Sequence, residues 1–239
     1  MPRWPIYWIS QLIVCKFFKF LSMLSRLMYG RIFFRIRVDG KENIMGIKGP
    51  IIITPNHKTY IDHFFIGAAI PFYSNLLPIR SMAADWLFEI DRLPGIWWKR
   101  WFLLKPFGFI ARWSLIALGA YPVQKGKGLG VSLRSPLKIL EKGLSILIYP
   151  EGGINFKKGV REARVGAAFL ARESGAQVIP VAIRGAEFFT LKSFLFGKRT
   201  IFLSIGKPFF VDPSKDLKIM AEEIRLEIEK LYNNIKMPK

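Results

Sequence analysis

"LSILIYPEGGINFKKGVREARVGAAFLARESGAQVIPVAI", residues 144–183, decides the fold class. Its two ends, "LSILIYP" (144–150) and "AQVIPVAI" (176–183), are short apolar runs rich in β-branched residues, as buried strands are. Between them "KKGVREARVGAAFLARESG" (157–175) reads as a helix closed by Gly175. Strand, helix and strand in that order predict a crossover connection between parallel strands, and hence an α/β sheet. Outward from this unit, "RIRVDG" (35–40), "GPIIITPNH" (49–57) and "TIFLSIG" (200–206) supply further strands. At the far end "DLKIMAEEIRLEIEKLYNNI" (216–235) spaces Leu217, Met220, Ile224, Ile228 and Leu231 for one helix face, which predicts a helix capping the core. The expected architecture is a mixed, largely parallel central sheet flanked by helices. No linker, low-complexity tract or repeat divides the chain, so residues 35–239 read as one domain, preceded by an N-terminal segment over 1–34.

That segment, "WPIYWISQLIVCKFFKFLSMLSRLMYGRIFFRIR" (4–37), mixes apolar and basic residues. On a helical wheel Gln11, Lys16, Lys19, Ser22 and Arg26 gather on one side. Ile13, Phe17, Phe20, Leu24 and Leu27 largely occupy the other, the pattern of a helix lying in a membrane interface. The uncharged run before Lys16 is too short for a span of about 20 residues. Charged residues interrupt the apolar region and no small-residue cleavage site follows it, which argues against a secretory signal. The competing reading is an ordinary helix packed on the domain.

Composition points the same way. Of the 239 residues, 37 are basic and 17 acidic, a formal net charge of +20 that calls for an anionic partner. The chain is nevertheless 51% hydrophobic and 15% aromatic, with a mean hydropathy of +0.24. An anionic lipid surface satisfies both properties at once. No zinc-finger spacing, RGG tract or basic-helix signature supports nucleic acid, and no nucleic-acid partner is expected. Cys15 is the single cysteine, which excludes an intramolecular disulfide and any CxxC motif. The middle block, residues 84–113, interleaves Trp and Phe with Lys and Arg. It suits a membrane interface, or alternatively a covered groove or a dimer contact.

Three clusters could carry chemistry. "TPNHKTYIDHFF" (54–65) holds both histidines, His57 and His63, with Asp62 before the second. His57 and Asp62 would stand about 140° apart on an ideal helix, whereas a turn or a helix start can bring them together. Asp62 would then hold one ring nitrogen protonated while the other takes a proton from a substrate. Local hydrogen bonding without catalysis is the competing reading. His63 stays unassigned, and no further acidic or cysteine cluster supports a metal beside these residues.

In the second cluster, "YPEGGINFKKG" (149–159), Glu151 follows an apolar strand within a glycine-rich turn. Lys157 and Lys158 precede the predicted helix, a location suited to phosphate. The turn lacks the GxxxxGK[ST] pattern of nucleotide-binding loops. In the third, "LGAYPVQKGKG" (118–128), Lys125 and Lys127 are either phosphate ligands or solvated lysines.

Together these segments resemble the glycerophospholipid acyltransferase family typified by bacterial 1-acylglycerol-3-phosphate acyltransferase. "NHKTYID" matches the NHxxxxD motif through Asn56, His57 and Asp62. "GAYPVQK" resembles GxxxxxR, with Gly119 kept and Lys125 in place of arginine. "YPEGGIN" resembles FPEGTRS, keeping Pro150, Glu151 and Gly152 but carrying Gly153 and Ile154 where Thr and Arg are usual. "VIPVAI" (178–183) is similar to the fourth motif and supplies Pro180. The four motifs cover roughly residues 38–206.

The resemblance implies transfer of a fatty acyl group from acyl-CoA or acyl carrier protein, as donor substrate and with no cofactor, to a glycerolipid hydroxyl. It implies His57 as general base and Asp62 as its partner. Asn56, Glu151 and Gly152 would bind the acceptor or organise the site, and Lys125, Lys157 and Lys158 would be phosphate contacts. The implied partners are anionic membrane lipids and a lysolipid acceptor, with lysophosphatidate as the individual expectation. Acyl carrier protein is a further implied partner, and the implied place is the cytoplasmic face of a bacterial inner membrane. The altered basic positions keep another lysophospholipid, glycerol phosphate, an ornithine-type lipid or a glycolipid precursor open as acceptors. An inactive membrane-binding scaffold is the non-enzymatic alternative.

Overall fold

A computed structural model describes residues 35–47, 49–71, 74, 76, 77, 79–84, 119–123, 128–187 and 200–237, and positions 9, 10, 12, 13, 16, 17 and 20 of the N-terminal segment. Among these residues the strands are β1 (Arg35–Asp39), β2 (Ile51–Pro55), β3 (Arg80–Ala84), β4 (Tyr121–Val123), β5 (Ile146–Leu147), β6 (Gln177–Arg184) and β7 (Thr200–Ile205). The helices are α1 (Asp62–Ala69), α2 (Leu129–Ser132), α3 (Arg134–Glu141), α4 (Gly166–Ser174) and α5 (Leu217–Asn234).

The strands form one sheet in the order β1-β7-β6-β2-β5-β3-β4. Every neighbouring pair is parallel except β6 and β7. This is the mixed, largely parallel sheet that the alternation of elements predicts. Its central strand explains why: all of β2 is buried, the mark of a parallel strand covered on both faces. Successive side chains of β2 serve opposite layers. Ile51 and Ile53 join Phe65, Ile66 and Ile70, from α1 and the residue after it, in the core on one face. Ile52 joins Leu140, Leu170, Met220 and Ile224 from α3, α4 and α5 on the other. Residues 216–235 form the expected capping helix, with Asp216 accepting from the Lys218 N–H as N-cap and Met220, Ile224 and Ile228 buried.

Seven elements differ from expectation. The helix predicted over 157–175 is only Gly166–Ser174. Its expected first half is a loop whose polar main-chain groups are taken up by the neighbourhood of His57, and that long-range bonding outweighs helix propensity. The helix does end at Gly175, whose φ of 65° is left-handed. The strand predicted over 144–150 is regular only at Ile146–Leu147, although two further sheet bonds flank it, from the Ile148 N–H to the Ile53 carbonyl and from the Arg80 N–H to the Ser145 carbonyl. β3 and β4 lie in a region whose sequence carries no clear period. α1, α2 and α3 are likewise additions, and α2 with α3 buries Leu133 and Leu140 against the sheet.

At its described positions the N-terminal segment is helical. Ile9, Ile13, Phe17 and Phe20 are exposed there, while the Lys16 ammonium donates to the Ile70 carbonyl after α1. Residues 85–113, Cys15 and both Lys125 and Lys127 lie outside the described residues. No helix among those described is long and apolar enough to cross a membrane.

Candidate active site

β2 and β5 are neighbours running the same way, so the segments that follow them leave the sheet at the same, carboxyl end. Ile53 is level with Leu147, and the same register carried four residues onward sets His57 opposite Glu151. Hydrogen bonds confirm the juxtaposition: the His57 N–H donates to Glu151 Oε1 at 3.2 Å, and the Asn155 N–H to the His57 carbonyl at 2.7 Å. Crevices at the carboxyl ends of parallel strands are where open α/β sheets place their ligands.

The first turn after β2 is built around Asp62. Its side chain, fully buried, opens α1 and receives the Lys58 and Thr59 N–H groups, the Thr59 hydroxyl at 2.8 Å and His57 Nδ1 at 3.0 Å. A helix start thus closes the five-residue gap between His57 and Asp62. A carboxylate at Nδ1 selects the tautomer protonated there, leaving the Nε2 lone pair free to accept a proton. The other face of the imidazole is covered by Tyr149, ring to ring at 3.8 Å and 15° from parallel.

Asn56 is buried below the turn. Its amide donates to the Ile183 carbonyl at 2.9 Å and accepts from the Ile183 N–H at 2.6 Å, which fastens the motif to β6. Asn56 is therefore an organiser of the turn, turned toward β6.

Glu151 is 2% exposed, yet among the described residues its Oε2 has no hydrogen-bond partner. Burial raises its pKa, opposed by the N–H bond from His57, the charge of Lys58 and the main-chain N–H of Arg161. An unsatisfied buried carboxylate oxygen is costly, and beside a candidate base it is ready to accept a substrate hydroxyl. Gly152 is favoured by its φ of +66°; a Cβ there would also stand 2.6 Å from Cδ and Nε of Arg164, an exposed side chain across the turn that can shift to make room.

Lys157 and Lys158 are exposed on the 155–159 loop, nine and eight residues ahead of α4. The expected help from free helix N–H groups is therefore withdrawn; the Lys157 N–H is already taken by Asn155 Oδ1 at 3.0 Å. β4 ends at Val123 at the same end of the sheet, and Lys125 itself lies outside the described residues. No group of three or more His, Cys, Asp or Glu among the described residues could hold a metal.

His63, unassigned by sequence, follows Asp62 in the first turn of α1. Its ring lies tilted against Phe64, 43° from parallel, and burial lowers its pKa to about 4 from 6.5, with Asp62 opposing the shift and His57 adding to it. Between about 6.5 and about 4 the unfolded chain binds a proton that the folded chain refuses, so native stability falls as pH drops through that window. We expect His63→Gln to flatten this dependence, read as urea midpoints at pH 7, 5.5 and 4.5. An unchanged slope would contradict an imidazole kept neutral by its surroundings.

Sequence reasoning missed Lys58, Thr59, Tyr149, Asn155 and Arg164. Lys58 and Thr59 stood inside the motif, where only their spacing to Asp62 was a signal, and Tyr149 stood one residue before Pro150. Arg164 gave no signal, because its contact with Gly152 depends on the loop path.

Comparison with known proteins follows the same outline. The acyltransferase family profile matches residues 35–184, well over half of the chain. A 1-acyl-sn-glycerol-3-phosphate acyltransferase of Bacillus subtilis (strain 168) is 28% identical over 206 residues, which cover 84% of this chain and 89% of that protein. The chloroplastic 1-acyl-sn-glycerol-3-phosphate acyltransferase LPAT1 of Arabidopsis thaliana is 22% identical over 172 residues. Those residues cover 71% of this chain, which spans only 42% of that longer protein. In fold, the chain is similar to the crystal structure of the 1-acyl-sn-glycerophosphate acyltransferase PlsC from Thermotoga maritima. The TM-score is 0.62 at 18% identity, over 95% of this chain and 82% of that one.

Proposed function

The chain belongs to the acyltransferase family, and from that premise we propose that it moves a fatty acyl group from an acyl-CoA or acyl carrier protein thioester to the hydroxyl of a membrane-borne lysolipid, with 1-acylglycerol-3-phosphate as the acceptor. The observation that carries this reading is the His57–Asp62 pair beside the buried Glu151, whose Oε2 has no partner among the described residues. His57 Nε2 takes the acceptor's hydroxyl proton as its oxygen attacks the thioester carbonyl, and Asp62 stabilises the imidazolium that forms. Collapse of the tetrahedral adduct breaks the C–S bond, and the leaving thiolate receives the proton from His57. No acyl-enzyme is needed. Glu151 Oε2 accepts from the acceptor's polar head, and Lys157 and Lys158, exposed on their loop, are phosphate contacts in this reading, as is Lys125 by its place in the sequence motif.

The N-terminal segment, residues 1–34, serves in this reading as an interfacial helix apart from the domain over 35–239. The exposed stripe of Ile9, Ile13, Phe17 and Phe20 supports it, because such a stripe suits the boundary of headgroups and acyl chains. A lysolipid could then present its hydroxyl without leaving the bilayer, at the cytoplasmic face of an inner membrane. Relatives named for the phosphate-bearing acceptor support lysophosphatidate. Ile154, where the family motif carries arginine, favours a second reading in which another lysolipid is acylated.

The test is the purified protein in vesicles with labelled acyl-CoA or acyl carrier protein and a panel of lysophosphatidate, other lysophospholipids, glycerol phosphate, ornithine-type lipids and glycolipid precursors. We expect phosphatidate as the main product. Preference for a phosphate-free acceptor would replace the first reading by the second, and absence of transfer to every acceptor would remove both.

A further inference from the structure

Lys58, next to His57, is fully buried, an expensive place for an ammonium group. Its nearest carboxylate among the described residues, Glu187, is 3.9 Å away, too far for a close pair. What Nζ does hold is the main chain of a loop: it donates to the carbonyls of Lys157 at 2.7 Å and Gly159 at 2.6 Å. Burial lowers the Lys58 pKa, with Glu187, Glu151 and Asp62 opposing the shift. The same ammonium lies 5.2 Å from the centre of the Tyr232 ring in the last turns of α5. The Tyr232 hydroxyl in turn donates to Glu187 at 2.8 Å, and Arg184, at the end of β6, donates to the carbonyls of Tyr232 and Ile235. One buried cation therefore joins the His57 turn, the 155–159 loop and the C-terminal helix. Glu187 and Tyr232 lie beyond the region that matches the family profile.

A methionine could fill the same volume without the desolvation cost, so the charge must be kept for its hydrogen bonds. Those bonds draw the carbonyls of residues 157 and 159 inward, while the side chains of Lys157 and Lys158 stay exposed. Asn155 completes the tether, its N–H on the His57 carbonyl and its amide on the Gly159 carbonyl at 3.2 Å. We propose that Lys58 is a positioning residue, which fixes the distance between the base and the lysines of the 155–159 loop and makes α5 part of the acceptor site. The inference rests on acyl transfer at His57 to a phosphate-bearing lipid. Loss of Lys58 would leave the base intact but let the loop drift, so the acceptor's head would lose its fixed place relative to its hydroxyl.

The test compares K58M and E187Q with the wild-type protein in vesicles, measuring KM for lysophosphatidate, KM for acyl-CoA and kcat, with amide hydrogen exchange on the same samples. For K58M we expect acceptor KM to rise about tenfold or more, donor KM to stay within about twofold, and kcat to fall less than acceptor KM rises. We expect E187Q to move acceptor KM the same way by about threefold. Amides of residues 157–160 should exchange at least about tenfold faster in K58M, with those of β1 unchanged. A purely structural lysine would lower the melting temperature and the active fraction, leaving both KM values and the loop's local exchange alone; that result overturns the proposal. If K58M does not fold, E187Q decides by the same two readouts. Absence of wild-type turnover would sink acyl transfer itself, whereas unchanged loop exchange would sink the tether by itself.

Discussion

His57→Ala should lower kcat/KM by about 10²–10⁴, the range ascribed to a positioned general base, while the protein stays folded and bound to vesicles. The structure explains why the two effects separate. The backbone bonds of residue 57, its N–H to Glu151 and its carbonyl from Asn155, do not depend on the side chain and survive in alanine. What is lost is the stack on Tyr149 and one donor to Asp62, whose carboxylate keeps the Lys58 N–H, the Thr59 N–H and the Thr59 hydroxyl. Stability should therefore fall by only about 1–2 kcal/mol. Circular dichroism and a melting curve establish the fold, vesicle flotation establishes binding, and a radiolabelled acyl transfer assay reads turnover. Wild-type turnover in the folded variant would remove His57 as the base and return it to a local hydrogen-bonding role.

The sheet was legible where burial is two-sided. "IIIT" and "VIPVAI" announce themselves as apolar β-branched runs, and both became central strands because a strand covered on two faces needs no polar alternation. β3 and β4 were not legible. β4 has three residues, with Pro122 in the middle, and β3 begins with Arg80, so neither carries enough apolar signal to stand out.

At the site, the pairing of His57 with Asp62 was readable as one of two options, because spacing limits but does not choose a local conformation. The choice was made by Asp62 gathering main-chain donors at the start of α1, a cooperative arrangement that no pair of residues encodes. The loop after Glu151 was misread as helix for a related reason. Its fate was set by Lys58, nearly a hundred residues earlier, whose ammonium claims the carbonyls of residues 157 and 159. Periodicity sees neighbours along a chain; a buried cation that bonds the backbone of a distant loop is invisible to it.

Asp62→Asn should cost nearly as much activity as His57→Ala, for a different physical reason. In the wild-type protein Oδ2 receives the Lys58 N–H, the Thr59 N–H and His57 Nδ1, and Oδ1 receives the Thr59 hydroxyl. An asparagine can keep most of this by setting its carbonyl oxygen at the Oδ2 position and turning its amide toward Thr59 Oγ1, which as a hydroxyl also accepts. The turn should thus survive with a loss of about 1–3 kcal/mol, part of it from removing a negative charge at the start of α1. The imidazole loses more. No anion then faces Nδ1 as Nε2 takes the proton, so the imidazolium forms beside a neutral amide, and kcat should fall by about 10³–10⁴.

Two controls separate charge from architecture. Thr59→Val removes one hydroxyl from the same carboxylate and leaves the charge, so its activity should stay within about tenfold of wild type. Asp62→Ala leaves the buried N–H groups of Lys58 and Thr59 without an acceptor and should fail to give stable protein. If Asp62→Asn were folded and retained most of its turnover while Thr59→Val lost it, the carboxylate's work would be to hold the turn, and His57 would act without an electrostatic partner.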